Sequence, residues 1–115
     1  MQFMLLAWAS EGHFQKMPPE EAQKAAGAYM AYGETLRKEN VLVSSNRLRP
    51  SADTTQVSIV GGKTRVLNGP YAETKEKLGG YFLIDVPDLD AAMSWAARCP
   101  GASHGTVEVR PVWTM

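Results

Sequence analysis

The chain has 115 residues, of which 44% are hydrophobic and 21% are charged, a composition typical of a globular domain. Twelve basic and twelve acidic side chains give a formal net charge of zero, which argues against nucleic acid or a membrane surface as partner, because both attract basic faces. The one cysteine, Cys99, excludes an intramolecular disulfide and any multi-cysteine metal site. We therefore expect a single cytoplasmic domain over residues 1–115, with no metal and no membrane segment.

An apolar stretch opens the chain. Residues 2–9 are apolar in both alternating sets, which predicts a strand buried on both faces, either central in its sheet or sandwiched by a partner, and Ser10–His13 breaks this pattern. Met17–Glu21 has the proline and acidic residues typical of a helix start, and Asn40 can end that helix, so a helix is predicted over about 18–39. Its apolar stripe comprises Ala22, Ala25, Ala26, Tyr29, Tyr32, Gly33 and Leu36.

The middle of the chain is typical of strands and tight turns. A second strand is predicted from Val41 to Leu48. Gly61-Gly62 separates two β-branched runs, 54–60 and 63–67, and two consecutive glycines supply the positive φ angles that a tight hairpin requires. We interpret Gly79-Gly80 as turn glycines too, with the next strand starting at Gly80.

The C-terminal third repeats the order strand, helix, strand. A strand over 80–86 precedes Asp88, a candidate helix N-cap, and the helix that follows has an apolar stripe ending at Cys99, which is expected to be a small core residue. The last strand is predicted over 106–113. Two such halves around a hairpin predict an α+β ferredoxin-like sandwich with an inserted β-hairpin and with helices on one face.

Strand periodicity assigns side chains to the two faces of this sheet. Phe82, Ile84 and Val86 are expected to pack on the helices with Val107 and Val109. The opposite face is half apolar and half charged, and it should carry Tyr81, Leu83, Asp85, Glu108 and Arg110. Because such a face usually meets another surface, the simplest expectation is a homodimer that pairs two copies of the sheet.

Several separated runs resemble one known family. Asn68–Glu76, Leu78–Tyr81 and Asp85–Asp90, with the ending Val107–Pro111 and the start Met4–Leu6, closely resemble the DGPF-domain branch of the YciI-related (YCII) family. The similarity covers nearly the whole chain, and the runs agree in order and spacing. The resemblance implies a dimeric ferredoxin-like α+β barrel, a small bacterial cytoplasmic protein and a biochemical role that is largely unassigned.

The resemblance also bears on function. Genes of this branch often neighbour extracytoplasmic-function sigma factors, and the wider superfamily is thought to include enzymes acting on small cyclic molecules, with a His–Asp pair proposed as active site. In this chain the motif's Asp is Asn68 and its Phe is Tyr71. Asn keeps the hydrogen bonding that shapes a turn but lacks the charge, so we interpret this position as a turn former. Neither His13 nor His104 clearly fills the role of the superfamily's histidine.

The charges of the loop before Gly79 are the first candidate site. Glu73 can act as a base, while Lys75 and Glu76 can bind substrate, with the lysine holding an anion. Alternating signs are equally typical of a solvated charged turn. Most of the functional interpretation rests on the family resemblance.

A second candidate site lies on the predicted open face. Glu108 and Arg110 are two apart on one strand, so Arg110 can hold a carboxylate while Glu108 acts as a base, and Asp85 can join them; the alternative is an ion pair closing a dimer. His13 is a candidate base or a solvated loop residue. Aromatic side chains that can wall a cavity, or serve as core or dimer anchors, are Trp8, Tyr81 and Trp113.

Two hypotheses of function follow. The first is a protein that binds a small anionic or cyclic metabolite in a dimer cleft and acts as a lyase- or isomerase-type enzyme without a cofactor. The second is a non-catalytic regulatory or partner-binding module linked to sigma-factor regulation. The sequence names neither a substrate nor a partner.

Overall fold

The computed structural model describes residues 1–69 and 75–113 and shows a mixed α+β chain, as predicted. Single 3₁₀ turns lie at Ser51–Asp53 and Pro100–Ser103. In chain order the helices and strands are β1 (Gln2–Ala9), α1 (Glu11–Gln15), α2 (Pro19–Lys38), β2 (Leu42–Arg47), β3 (Thr55–Val60), β4 (Lys63–Asn68), β5 (Lys77–Asp85), α3 (Leu89–Arg98) and β6 (Thr106–Pro111).

Four strands form an antiparallel sheet in the order β2-β5-β1-β6. β1 is an interior strand of this sheet, which is one of the two arrangements that its two-sided apolar sequence predicted. Leu5 lies opposite Phe82 of β5 and opposite Val109 of β6, which places one continuous apolar row across three strands. The pairing of β1 with β5 shifts register once, between Ala7 and Trp8.

The core lies between this row and the helices. The hydroxyl of Tyr32 in α2 donates to the carbonyl oxygen of Trp95 in α3 at 2.6 Å, and its ring meets Phe82 edge-on with centroids 5.1 Å apart. Burial raises the pKa of the Tyr32 hydroxyl. The predicted helix-facing side of β5 is confirmed, since the core comprises Phe3, Leu5, Tyr32, Leu36, Ile84, Val86, Ala92, Ala96 and Cys99.

Local signals set the ends of both long helices. Asn40 has a φ of 59° and ends α2, and the N–H of Val41 donates back to the carbonyl of Leu36 at 3.0 Å. The carboxylate of Asp88 accepts from the N–H of Ala91 at 2.9 Å, which makes it the predicted N-cap of α3. The stripe of α2 is buried mainly in its C-terminal half, because Ala22 at its start is exposed.

Two sequence expectations need correction. Gly79-Gly80 is not a turn: both residues lie inside β5, which begins at Lys77. A Cβ at position 80 would lie 2.8 Å from the carbonyl oxygen of Asn46, so glycine is needed there because β2 approaches closely. The second correction is that Ser10–His13, expected only to break β1, overlaps the short helix α1 at Glu11–Gln15.

The predicted hairpin is confirmed. β3 and β4 pair antiparallel as a separate two-stranded sheet around Gly61-Gly62, whose φ angles of 58° and 76° are the positive values that the turn requires. The last strand ends two residues earlier than predicted, at Pro111.

Candidate functional site

A cleft of about 560 Å³ opens where three segments of the chain meet at the end of β1. Trp8 lies opposite Leu78 of β5 and opposite Thr106 of β6, so the residues after β1 come together with those that precede β5 and β6. Five side chains of different chemistry line this cleft: the aromatic ring of Trp8, the hydroxyl of Ser10, the ammonium of Lys75, the carboxylate of Glu76 and the imidazole of His104.

Two imidazoles stack at the cleft, and His104 lines it. The rings of His13 and His104 have centroids 5.2 Å apart and planes 22° from parallel. Burial, followed by the charge of His13, lowers the pKa of His104 below its ordinary value of 6.5. His104 is therefore neutral at pH 7, and a neutral imidazole can accept a proton from a bound molecule.

Glycine at position 105 brings His104 close to β1. A Cβ there would lie 2.1 Å from the carbonyl oxygen of Trp8, a separation that no side chain tolerates. Because Gly105 lets the two backbones approach, the imidazole of His104 and the indole of Trp8 can line the same cleft.

Trp8 is oriented by the open face of the sheet. Its indole N–H donates to one carboxylate oxygen of Glu108 at 3.3 Å, and the guanidinium of Arg110 donates to the other at 3.4 Å. Glu108 and Arg110 share the open face, as the alternation of β6 predicted. Arg110 is 68% exposed and does not line the cleft, so its contact with Glu108 makes it a support for Trp8.

The remaining walls are held by hydrogen bonds. The hydroxyl of Thr106 donates to the half-buried carboxylate of Glu76 at 3.2 Å, while Lys75 is exposed at the rim. The carboxylate of Glu11 accepts from the backbone N–H of Ser51 at 2.6 Å and from its hydroxyl at 2.8 Å. These two bonds fasten α1, and with it His13, to the turn that follows β2.

The structure brings some predicted site residues together and separates others. Lys75 and Glu76 line the cleft, and Glu108 contacts it through Trp8. Tyr81 accepts from the side-chain amide of Asn46 at 2.8 Å on the side towards β2. Glu73 lies outside the described residues.

Asp85 lies at the far end of the sheet from the cleft. It pairs opposite Gln2, six residues along β1 from Trp8, which is about 20 Å at the rise of a strand. Its carboxylate accepts from the N-terminal ammonium of Met1 at 3.1 Å. The geometry thus places Asp85 away from the cleft.

Sequence reasoning missed Ser10 and His104 as lining residues. Both residues lie outside strands, and the alternation of side chains along a strand predicts nothing about such residues. A usable signal was present, because antiparallel pairing of the first and last strands places the residues after β1 beside those before β6. That argument would have brought His13 and His104 together.

The described residues contain neither a candidate metal-binding group nor a candidate membrane-spanning helix. Within residues 1–69 and 75–113, no group of three or more His, Cys, Asp and Glu side chains could hold a metal ion. No helix in the same ranges has the length and apolarity needed to cross a bilayer.

Comparison with known proteins shows the family of this chain. A sequence model of the YCII-related domain matches residues 1–115. The chain belongs to the YCII-related family. An uncharacterized protein of Rhizobium meliloti (strain 1021) is 32% identical over 114 residues, which cover 97% of this chain and 92% of that protein. The resemblance to the YCII-related family is thereby confirmed, whereas the DGPF-domain branch stays a prediction. The relative is itself uncharacterized, so the comparison assigns no activity.

Proposed function

We propose that the protein binds a small anionic or cyclic metabolite in the cleft at the end of β1. The observation that carries this proposal is the convergence of Trp8, Lys75, Glu76 and His104 on one opening of about 560 Å³. An indole face suits a flat ring, an ammonium suits a carboxylate, and a few convergent polar groups in a concave opening are typical of small-molecule sites.

The same residues support a proton-transfer reaction without a cofactor, of the lyase or isomerase type. Lys75 holds a carboxylate of the substrate, and the neutral imidazole of His104 takes a proton from the adjacent carbon. The imidazolium of His104 then gives the same proton back to another carbon of the substrate, which completes an isomerisation, and Glu76 lines the same cleft. Glu108 acts indirectly, through its hydrogen bond to Trp8.

The fold and assembly that we propose are a ferredoxin-like sandwich and a dimer formed through the open sheet face. The strand order β2-β5-β1-β6, with α2 and α3 packed on one side, supports the ferredoxin-like arrangement. The half-buried apolar side chains on the other side support dimerisation.

Binding is tested by thermal shift and calorimetry with a panel of small aliphatic and cyclic carboxylates at millimolar concentration. A carboxylate that binds the folded state raises the melting temperature. Lys75→Ala should weaken that carboxylate about tenfold or more, since a charged hydrogen bond is lost. Lys63→Ala removes an exposed lysine from the hairpin and should leave the affinity unchanged.

Either of two results would contradict this proposal. The first is that no carboxylate stabilises the folded wild type. The second is that a carboxylate binds equally well to wild type and Lys75→Ala. Proton transfer is tested separately with the best-bound carboxylate, by exchange of its carbon-bound hydrogen in D₂O, which His104→Asn should abolish.

A further inference from the structure

The lining of the cleft carries charges of both signs. Lys75 and Glu76 are consecutive in the chain and both line the opening, one with an ammonium and the other with a carboxylate. His104 is neutral at pH 7, and the side chains of Trp8 and Ser10 carry no charge. Among the described residues that line the cleft, the charges therefore sum to zero.

This charge pattern distinguishes between classes of ligand. A ligand that brings only a carboxylate pairs with Lys75 but adds a like charge beside Glu76, and the repulsion offsets part of the attraction. A ligand with both an ammonium and a carboxylate pairs with both side chains and leaves the sum at zero. The lining is therefore complementary to a zwitterion rather than to a simple anion.

The spacing of the two charged residues suits an amino acid. The Cα atoms of consecutive residues are about 3.8 Å apart, so Lys75 and Glu76 present their charges to one opening from neighbouring positions. The ammonium and the carboxylate of a free α-amino acid are bonded to the same carbon. Both partners thus hold a positive and a negative group side by side.

The carboxylate of Glu76 is held in place and can accept an ammonium. The hydroxyl of Thr106 donates to its Oε1 at 3.2 Å, and the side chain of Glu76 is half-buried. An ionised carboxylate has about four acceptor sites on its two oxygens, so a ligand can donate to it beside Thr106. Because Lys75 is exposed at the rim, the carboxylate of the ligand lies outermost and its ammonium lies deeper.

Trp8 supplies the surface for the rest of the ligand. Its indole N–H donates to Glu108 at 3.3 Å, so the face of the ring, and not its polar edge, is the part that recognises a ligand. An indole face packs against flat rings and also attracts an ammonium. A volume of about 560 Å³ is within the usual range for sites that take small molecules.

We propose that the ligand of this cleft is a zwitterionic amino acid with a flat ring in its side chain. Its carboxylate binds Lys75, its ammonium binds Glu76 and its ring packs on Trp8. This inference rests on the proposed binding function and narrows the ligand from carboxylates in general to amino acids.

Three probes that share one ring and one chain length test the inference. L-phenylalanine carries both charged groups, 3-phenylpropanoate lacks the ammonium and 2-phenylethylamine lacks the carboxylate. Titration calorimetry with the full chain at pH 7 measures the affinity of each. Phenylalanine should bind at least about tenfold more tightly than either of the others, because each of them lacks one charged hydrogen bond.

A substitution at Glu76 identifies the partner of the ammonium. Glu76→Gln keeps an acceptor for Thr106 and removes the charge, so phenylalanine should weaken about tenfold, to the affinity of 3-phenylpropanoate. The affinity for 3-phenylpropanoate should stay the same or rise, since a like charge is lost.

Glu39→Gln is the matched control for this substitution. Glu39 is exposed and follows α2, close to Val41, whose carbonyl accepts from the N–H of Asp85 at the far end of the sheet from the cleft. The control should bind all three probes as wild type does. The melting temperatures of both variants without ligand check that they are folded.

Three results would overturn the inference. They are phenylalanine that binds no more tightly than 3-phenylpropanoate, 2-phenylethylamine that binds more tightly than phenylalanine, and a Glu76→Gln variant that keeps the wild-type preference. If carboxylates bind without any preference for the amino group, the proposed function stands and this inference fails. If no carboxylate binds, both fail.

Discussion

The two faces of β1 differ in what they contribute to the protein. Phe3 and Leu5 are 1% and 0% exposed and belong to the core, whereas Met4 and Leu6 on the opposite face are half-buried and lie outside it. Further along that second face, Trp8 lines the cleft. The same strand therefore supplies stability from one face and a binding surface from the other, which explains why its sequence is apolar on both.

The sharpest way to separate the two faces is to truncate adjacent leucines. Leu5→Ala removes a fully buried side chain and should lower the free energy of unfolding by about 2–5 kcal/mol. Leu6→Ala removes a side chain that is half-buried in a single copy and, at a protein concentration low enough for the chains to be monomeric, should cost roughly 1 kcal/mol or less. Urea denaturation at one protein concentration measures both, and equal losses would contradict the assignment of the faces.

A second test concerns the two glycines of β5. Gly80→Ala should destabilise the fold by about 1–3 kcal/mol, because the added Cβ would meet the carbonyl of Asn46. Gly79→Ala is the matched control, since its Cβ would make an ordinary 3.8 Å contact with the carbonyl of Ala7. If thermal unfolding shows the same melting temperature for both variants, close approach of β2 to β5 is not what selects glycine at position 80.

The N-cap of α3 contributes to the stability of the helix that covers the inner face of the sheet. Asp88→Ala removes the acceptor of the Ala91 N–H and should cost about 1 kcal/mol. Asp88→Ser retains an acceptor at the same position and should recover most of that loss. Comparing the two by urea denaturation separates the cap from the charge, and no recovery in the serine variant would rule out the hydrogen bond as the cause.

The smallest expected effect lies at the cleft and depends on pH. Because folding lowers the pKa of His104, the unfolded chain takes up a proton first as the pH falls below 6.5, and the free energy of unfolding falls with it. Well above that pH the imidazole is neutral in both states and contributes no such dependence. His104→Asn should flatten this part of the profile of stability against pH, and an unchanged slope would contradict the burial of the imidazole.

Much of the fold could be predicted from local signals. The helix stop at Asn40, the cap at Asp88 and the Gly61-Gly62 turn each act through their nearest neighbours, so the sequence alone suffices. The prediction of Gly80 as a turn glycine was wrong. Glycine is required there by the close approach of β2, which lies more than thirty residues away along the chain. A glycine required by a distant backbone has the same sequence signature as a turn glycine.

The candidate site was predicted less completely. Lys75 and Glu76 were predicted mainly because their run of charges belongs to a motif that resembles the family, whereas Ser10 and His104 carry no pattern of their own. The two meet only through the antiparallel pairing of β1 with β6, which Gly105 permits by allowing close approach to Trp8. Combining strand order with loop residues is the step that would have completed the site.

The central claim is that the cleft binds a small carboxylate against Trp8, and the indole N–H signals test it most directly. The chain has three tryptophans, and in a ¹H–¹⁵N spectrum each gives a separate side-chain signal. On titration with a binding carboxylate, Trp8 should shift, while Trp95 against α2 and the exposed Trp113 should not. Shifts at Trp95 or Trp113 with Trp8 unmoved would place the ligand elsewhere and contradict the account.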